Sequence, residues 1–274
     1  MARNWRRDAT RRAKAALIDT SVPNAARAGD YLDGGRNNFE ADRKAVRALV
    51  AAAPIIGTIV PATRAFHQRA VRYLVTEAGI RQFLEIGTSV EMTGNTHQIV
   101  QSLAPDCRVV YVDSDPMVLG HARALLTSVA DGTVASVDAD LRDPRTIVSG
   151  AAETLDLSRP VAILLRSTLT YVLDAATATR IMRSLAEAVP AGSHVELYHQ
   201  ASDLDPTMPE ATRRWNAMSG QPITLRSRAQ LTALLGGLDL VPPGLLPVTD
   251  WHPAADDPRF EHAVPVYGAI ARKP

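Results

Sequence analysis

Four polar segments follow apolar runs of the chain, and their residue types suit the recognition of a nucleoside-like ligand. In the first, FLEIGTSVEMTGN (residues 83–95), Glu85 and Gly87 close an apolar run. Gly87 would let the backbone approach a ligand closely, and a helix that begins near Thr93 would offer unpaired N–H groups and a partial positive charge. Ser89 stands where nucleotide-binding loops commonly have a second glycine, so the loop alone also fits an ordinary tight turn.

The second segment ends in a carboxylate that has no evident structural purpose. Asp113 closes the apolar run RVVYVD, 26 residues after Gly87. A carboxylate at the end of a second strand can accept hydrogen bonds from both hydroxyls of a ribose. Asp115, directly before a proline, already suits the cap of the next helix. We therefore assign Asp113 to the ribose.

Charged groups also follow the third and fourth apolar runs. In DADLRDP, Asp138 or Asp140 could accept a hydrogen bond from an adenine amino group while Leu141 covers the ring, although either aspartate could be a plain loop carboxylate. In LLRSTLTYV, Arg166 ends a buried strand and requires a partner there. That partner is either a carboxylate of the cofactor or a nearby Asp or Glu.

The elements around these segments predict an α/β fold. From residue 82 onward short apolar runs alternate with helical patterns, which indicates a parallel sheet covered by helices on both faces. The last runs, near LDLV and in AVPVYGAIARKP, suggest a closing hairpin. We predict a class I methyltransferase Rossmann-like fold: a mostly parallel seven-stranded sheet with an antiparallel final strand. Residues 1–80 would form a helical cap and residues 81–274 the core, as one integrated domain.

Helix boundaries within this scheme follow from local signals. Asn37 precedes Glu40 by three positions, which resembles a capping arrangement. A second helix is predicted over residues 64–78. The pair Asp143–Pro144 is typical of a helix start, since Asp caps and Pro suits the first helical position.

The loop sequence limits the choice of cofactor. A nicotinamide or flavin site requires G-x-G-x-x-G, and Ser89 takes the place of its second glycine. No phosphate-binding P-loop string is present. S-adenosylmethionine has no phosphates, and Gly87, Asp113 and Asp140 suit its ribose and adenine. A NAD-dependent dehydrogenase remains a distant alternative.

Composition narrows the class of protein. The chain has 274 residues, of which 46% are apolar and 22% charged, with 30 Lys and Arg against 29 Asp and Glu. This balance predicts no nucleic-acid or membrane partner. One cysteine, Cys107, and an N-terminus without an apolar signal core predict a cytoplasmic protein. We predict no metal site, and a homodimer stays open.

The chain resembles a bacterial family of predicted S-adenosylmethionine-dependent methyltransferases, formerly classed as a domain of unknown function. The resemblance covers residues 24–274 and rests on long strings: ARAGDYLDGGRNNFEADR, RAFHQRAVRYLVTEAGIRQFLEIGT, TGNTHQIVQSLAPDCRVVYVDSDPMVLGHARALL, ADLRDP, RSRAQL and YGAIARKP. It implies the class I fold, this cofactor and methyl transfer, but names no acceptor. It also implies that GGRNNFEADR forms a lid over the cofactor; a turn followed by a helix cap is the alternative.

This chain departs from the family pattern at several positions. The family usually has Asp at Glu85, Gly at Ser89 and Asn at Thr63, which precedes the matched Arg64. After the fourth strand it often has Leu-His-Phe, where this chain has Leu169-Thr170-Tyr171. The missing histidine removes a candidate base.

The predicted site residues fall into three groups. As catalytic residues we predict His199 and Tyr171, with His67 and Asp203 as further candidate bases. Substrate contacts are Tyr31, Asn38, Phe39 and Thr170. Cofactor contacts are Arg36, Arg64, Glu85, Gly87, Thr88, Ser89, Asn95, Asp113, Ser114, Asp140, Leu141, Arg166 and Ser167. The predicted function is methylation of a small molecule, in specialised metabolism. The alternatives are a protein that only binds the cofactor, and one that uses it in a non-methylating reaction.

Overall fold

The computed structural model describes residues 19–87, 95–115, 118–120 and 133–274. Its helices are α1 (Ala25–Leu32), α2 (Glu40–Ala52), α3 (Ile59–Thr76), α4 (Thr96–Leu103), α5 (Pro144–Ala151), α6 (Ala175–Glu187), α7 (Met208–Met218) and α8 (Arg228–Leu234). Short 3-10 helices span Pro54–Thr58 and Thr168–Tyr171. The strands are β1 (Gln82–Ile86), β2 (Arg108–Asp113), β3 (Thr133–Asp138), β4 (Ala162–Arg166), β5 (His194–Gln200), β6 (Asp239–Leu240), β7 (Leu246–Pro247) and β8 (Val266–Arg272).

The strands form one sheet in the order β3-β2-β1-β4-β5-β8-β6, and β7 also pairs with β8. Strands β1 to β5 are parallel, whereas β8 runs antiparallel to β5. The predicted fold class is confirmed. The two-residue strand β7 is additional to the seven predicted strands; it contains Pro247, and a proline argues against a strand in the sequence. Strand order reverses between β1 and β4, the kind of switch point at which α/β sheets bind ligands.

Apolar side chains cover both faces of the sheet. One cluster packs α5, α6 and α8 against β1, β4 and β5. A second cluster packs α3 against the other face, where Phe66 lies edge-on to Tyr198 and Trp251. Every residue of β1 is buried, as expected for a strand covered on both faces. This double cover fixes the strand ends from which the site is built.

A third apolar cluster joins the N-terminal helices to the C-terminal half. It contains Ala28 of α1, Val46 and Leu49 of α2, and Trp215 of α7. Helix α3, by contrast, packs on the sheet. The cap thus shares a core with α7, and the division at residue 80 stays a prediction.

Two predicted helix starts have different outcomes. Asp143 caps α5 by accepting a hydrogen bond from Thr146 N, with Pro144 in the first turn, as predicted. Asn37 does not cap α2: the cap residue is Phe39, whose N–H donates to Asp42 Oδ2 at 2.8 Å. Asn37 N instead donates to Asp30 Oδ2 at 2.7 Å, and its side-chain Nδ2 donates to Asp30 Oδ1 at 3.3 Å, so the side chain is engaged with α1 and not with the start of α2.

Two further expectations concern Cys107 and the membrane. Cys107 is buried directly before β2, and burial raises the pKa of its thiol to about 11.

In the described part of the chain no single helix meets the length and hydropathy of a membrane span, and only the sharply bent pair Glu40–Ala52 and Pro54–Thr76 meets them jointly.

Candidate functional site

A cavity of about 930 Å³ lies at the carboxyl ends of the parallel strands. Residues that follow β1, β2, β3 and β4 form its floor, and α1 with the start of α3 forms its opposite wall. Eight predicted site residues line it: Gly87, Asp113, Ser114, Asp140, Leu141, Arg166, Ser167 and Tyr171. The position matches the switch point of the sheet.

The two aspartates predicted to bind ribose and adenine both reach this cavity. Asp113 ends β2, and its Oδ1 accepts a hydrogen bond from Asp115 N at 2.8 Å. Asp140 follows β3; its Oδ1 accepts from Arg142 N at 2.7 Å, and the Arg142 guanidinium lies 3.3 Å away. These local bonds fix the orientation of both carboxylates, and Leu141 also lies in the cavity wall.

The backbone conformation and the surroundings of Gly87 leave no room for a side chain. Its φ is +81°, and a Cβ atom there would lie 1.7 Å from Thr168 Cγ2. Only glycine satisfies both conditions without strain. Thr168 itself is buried at the cavity wall, and its Oγ1 has no hydrogen-bond partner among the described residues.

Arg166 is placed by a carboxylate of the protein. Its Nη1 donates to Glu85 Oε1 at 2.8 Å, and both side chains are almost fully buried. Of the two partners considered from the sequence, the nearby Glu is therefore present. Glu85 does not line the cavity; it lies behind Arg166, also bonded to Thr96 Oγ1.

Three other predicted cofactor contacts also lie away from the cavity lining. Arg36 is exposed, and Arg64 pairs with Asp33. Asn95 is buried where α4 begins, and its N–H donates to Gln98 Oε1. The helix expected near residue 93 starts at residue 96, and Thr88 and Ser89 fall outside the described residues.

None of the four predicted substrate contacts lines the cavity: Tyr31, Asn38, Phe39 and Thr170. Asn38 Nδ2 donates to Asp30 Oδ2 at 2.7 Å, so the GGRNNFEADR segment folds around a buried carboxylate of α1. A Cβ on Gly35 would lie 2.2 Å from Asp30 Oδ1, which explains the glycine. Phe39 is partly exposed under the Arg27 guanidinium, and Thr170 Oγ1 donates to Gln200. The polar side chains of this segment serve the cap itself.

His199, predicted as a catalytic residue because it follows an apolar run, lies near the carboxyl end of β5 but away from the cavity. His199 is fully buried and is not part of the cavity wall, although its neighbours Tyr198 and Gln200 are. Its Nδ1 lies 2.8 Å from the Gln200 carbonyl oxygen, and its Nε2 accepts from Arg226 Nη1 at 2.7 Å. Burial lowers the pKa of His199 to about 4, assisted by the Arg226 charge, so the ring is neutral at pH 7.

None of the other three predicted bases is placed in the cavity in a form that can readily accept a proton. Tyr171 lines the cavity, but burial, and then the Asp113 charge, raise the pKa of its phenol, which stays protonated near neutral pH. His67 is buried between Glu196 and Thr96. Asp203 is exposed outside the cavity and accepts from Arg228 N.

The structure adds residues that the sequence analysis missed. Asp30 and Thr63 reach the cavity from α1 and α3, and Gln200 reaches it from the end of β5. The alternation of β5 could have identified Gln200, since side chains at 198 and 200 share a face. No local signal marks Asp30, and Thr63 stands out only as a departure from the family pattern; helix packing brings both to the cavity.

The described lining is predominantly acidic. Its charged residues are six aspartates (Asp30, Asp33, Asp113, Asp115, Asp140 and Asp174) and two arginines (Arg142 and Arg166). Such a wall favours ligands that carry positive charge and disfavours those that carry phosphates. No group of three His, Cys, Asp or Glu residues suited to a metal ion occurs within the described ranges.

Two solved structures resemble the whole chain closely. A DUF574 family protein from Streptomyces avermitilis MA-4680 is 40% identical, with a TM-score of 0.89 over 94% of this chain and 100% of that one. A predicted methyltransferase from Thermobifida fusca YX is 34% identical, with a TM-score of 0.84 over 93% and 96%.

More distant comparisons agree on the fold. The mitomycin 7-O-methyltransferase MmcR is 18% identical, with a TM-score of 0.52 over 94% of this chain and 74% of that one, a likeness of fold alone. A comparison with curated proteins finds no match. A family model described as S-adenosyl methyltransferase matches residues 11–274. The chain therefore belongs to the S-adenosyl methyltransferase family, whose cofactor is S-adenosylmethionine.

Proposed function

We propose that the protein transfers a methyl group from S-adenosylmethionine to a small-molecule acceptor, in specialised metabolism. The observation that carries this proposal is the cavity, in which Asp113 and Asp140 lie at the ends of the two strands where the sequence predicts them. The family supplies the cofactor and the type of reaction, and the shape and charge of the cavity bear on the acceptor.

The residues present fit this cofactor. Its sulfonium and ammonium groups are positively charged, which suits a wall with six aspartates and two arginines. It has no pyrophosphate, whereas a dinucleotide would bring two negative charges to that wall. The Thr168 hydroxyl, buried at the cavity without a described partner, offers a further polar contact.

Each wall residue would then have a definite role. When bound, the cofactor supplies an activated methyl group. Asp113 would accept hydrogen bonds from ribose hydroxyls, and Asp140 would accept from the adenine amino group beside Leu141. Arg166, held by Glu85, would bind the carboxylate. The cap helix α1 would exclude water from the other side of the cavity.

The cavity favours a small acceptor. Its volume of about 930 Å³ is close to the upper end of ordinary small-molecule sites. The acidic lining disfavours nucleic acid, which requires basic residues along its phosphates. A compact acceptor without phosphates fits both properties.

Apart from carboxylates, the described part of this cavity offers little general-base chemistry. No histidine lines it within the described residues, and the Tyr171 phenol is protonated near neutral pH. We infer that catalysis relies mainly on proximity, which suits an acceptor atom that is nucleophilic without early loss of a proton. The same observation keeps a second function under consideration, that of a protein which binds the cofactor without methyl transfer.

Methyl transfer is tested directly by mass spectrometry. The purified protein is incubated with methyl-deuterated S-adenosylmethionine and pools of small amines, thiols and phenols. A deuterated methyl group on one acceptor, formed more slowly by Asp113→Asn when the cofactor is below saturation, supports the proposal. Cofactor binding without a labelled product across the pools favours the binding-only function.

A further inference from the structure

A row of five buried polar side chains runs behind the cavity floor and ends at Arg166. Glu196 Oε1 and Oε2 lie 2.9 and 3.1 Å from His67 Nδ1. His67 Nε2 lies 3.0 Å from Thr96 Oγ1, which is also bonded to Glu85 Oε2. Glu85 Oε1 accepts from Arg166 Nη1 at 2.8 Å. Only Arg166 lines the cavity.

The fold brings these groups together from five elements. Glu85 on β1 and Glu196 on β5 both pair in register with Leu164 of β4, so their side chains lie on one face of the sheet, two strands apart. His67 of α3 and the first residue of α4, Thr96, bridge them. Glu85, Glu196 and Thr96 are 0% exposed and His67 is 1% exposed. No solvent separates the members of the row.

The hydrogen-bond directions determine where the protons lie. Glu85 pairs with the Arg166 guanidinium and is therefore an acceptor, so Thr96 must donate its single hydroxyl proton to Glu85. Thr96 can then only accept from His67 Nε2, while Nδ1 faces the Glu196 carboxylate. Nε2 therefore carries a proton, and Nδ1 shares a hydrogen with the Glu196 carboxyl group. Each buried polar group of the row thus has a hydrogen-bond partner within it, which lowers the cost of burying it.

We propose that His67 and Glu196 act as positioning residues that, through Thr96 and Glu85, hold the Arg166 guanidinium at the cavity wall to bind the carboxylate of the cofactor. This inference rests on the proposed function. Arg142, the other arginine in the described lining, is engaged with Asp140 and the Tyr171 carbonyl on the β3 side.

Two ligands isolate the effect on the carboxylate. S-adenosylmethionine and its decarboxylated form share adenosine, sulfonium and amine, and they differ only in the carboxylate. Calorimetric titration with each gives a ratio of dissociation constants. We expect the wild type to prefer the carboxylate form by at least roughly tenfold, as expected for one charged hydrogen-bonded contact. Arg166→Gln should abolish that preference.

Variants along the row test the positioning role. Thr96→Val and Glu196→Gln should weaken binding of S-adenosylmethionine by roughly fivefold or more and leave the decarboxylated ligand within about twofold. Thr96→Ser, which keeps the hydroxyl, should bind both ligands like the wild type. His194→Gln changes a buried histidine of β5 outside the row and serves as the matched control.

Each other outcome overturns the inference. Equal weakening of both ligands in Thr96→Val would show that the row only stabilises the fold, and an equal wild-type affinity for both would show that Arg166 does not bind a carboxylate. If the wild type binds neither ligand, the proposed function fails and the inference fails with it. If Glu196→Gln does not fold, the pair Thr96→Val and Thr96→Ser still tests the inference. The first variant replaces the hydroxyl by a methyl group, and the second removes the methyl group and keeps the hydroxyl.

Discussion

Replacing Asp113 by Asn should weaken cofactor binding without disturbing the fold. Asp113 Oδ1 accepts from Asp115 N at 2.8 Å, and an Asn side chain can keep that bond through its own oxygen. The substitution removes the charge and turns an N–H₂ group toward the ribose. Loss of one hydrogen bond to a charged group costs about 1.5–3 kcal/mol. The dissociation constant should therefore rise roughly 10- to 150-fold.

The assay is calorimetric titration with S-adenosylhomocysteine, the demethylated product. Asp138→Asn is the matched control, because Asp138 pairs in register with Asp113 on β3 but is exposed outside the cavity. Both variants should melt within a few degrees of the wild type. Unchanged affinity in Asp113→Asn, with the same heat of binding, would refute the ribose assignment.

Three further predictions concern stability and reactivity. Gly87→Ala should lower the free energy of unfolding by about 2–4 kcal/mol, because of the positive φ and the overlap with Thr168. Gly79 is the control: it has a positive φ but open space around it, so Gly79→Ala should lower the free energy of unfolding by only about 1–2 kcal/mol. Equal losses for the two variants in urea unfolding would contradict the packing argument. The pKa of His199 is lowered from 6.5 to about 4, so its neutral form contributes stability above pH 6.5 that is lost as the pH falls toward 4. This loss of unfolding free energy between pH 6.5 and pH 4 should be about 3 kcal/mol. It should be smaller in His199→Gln, and urea unfolding of both proteins at several pH values measures the difference. Cys107 should react with a thiol reagent only in denaturant, because it is buried with a pKa of about 11; rapid labelling of the folded protein would contradict its placement.

The strand-end carboxylates could be predicted because the pattern of the sheet determines their place. Parallel strands end at one edge, so a polar residue that directly follows an apolar run lies at that edge. Asp113, Asp140 and Arg166 each follow this rule, and each lines the cavity. Gly87 also lines the cavity, but its close contact with Thr168 is by itself a sufficient reason for a glycine at this position.

Position along the strand suggests His199 as a candidate base, but it does not determine which face of the strand the side chain occupies. Side chains of β5 alternate, so Tyr198 and Gln200 face the cavity while His199 points to the opposite face, against Arg226. The family's Leu-His-Phe string could not have corrected this, because it corresponds to Leu169-Thr170-Tyr171 after β4 and not to His199 on β5.

The cap could not be predicted in detail because its polar groups have partners distant in sequence. Asp42 accepts from Asn24 N, Arg27 Nε and Phe39 N, and Asn24 Nδ2 donates to Asp115 Oδ2 at 3.0 Å. These bonds join α1 and α2 to the loop after β2. The glycine-rich, polar sequence indicated a specific structure, and only the tertiary packing shows that its side chains face inward.

We propose that the acidic cavity at the switch point of the sheet is the binding site of S-adenosylmethionine. The most direct measurement is calorimetric titration of the purified protein with S-adenosylmethionine, S-adenosylhomocysteine and NAD under one set of conditions. We predict saturable one-to-one binding of the first two, and no heat of binding with NAD, whose pyrophosphate would meet the aspartates of the wall. Binding of NAD without binding of either S-adenosyl ligand would contradict the account.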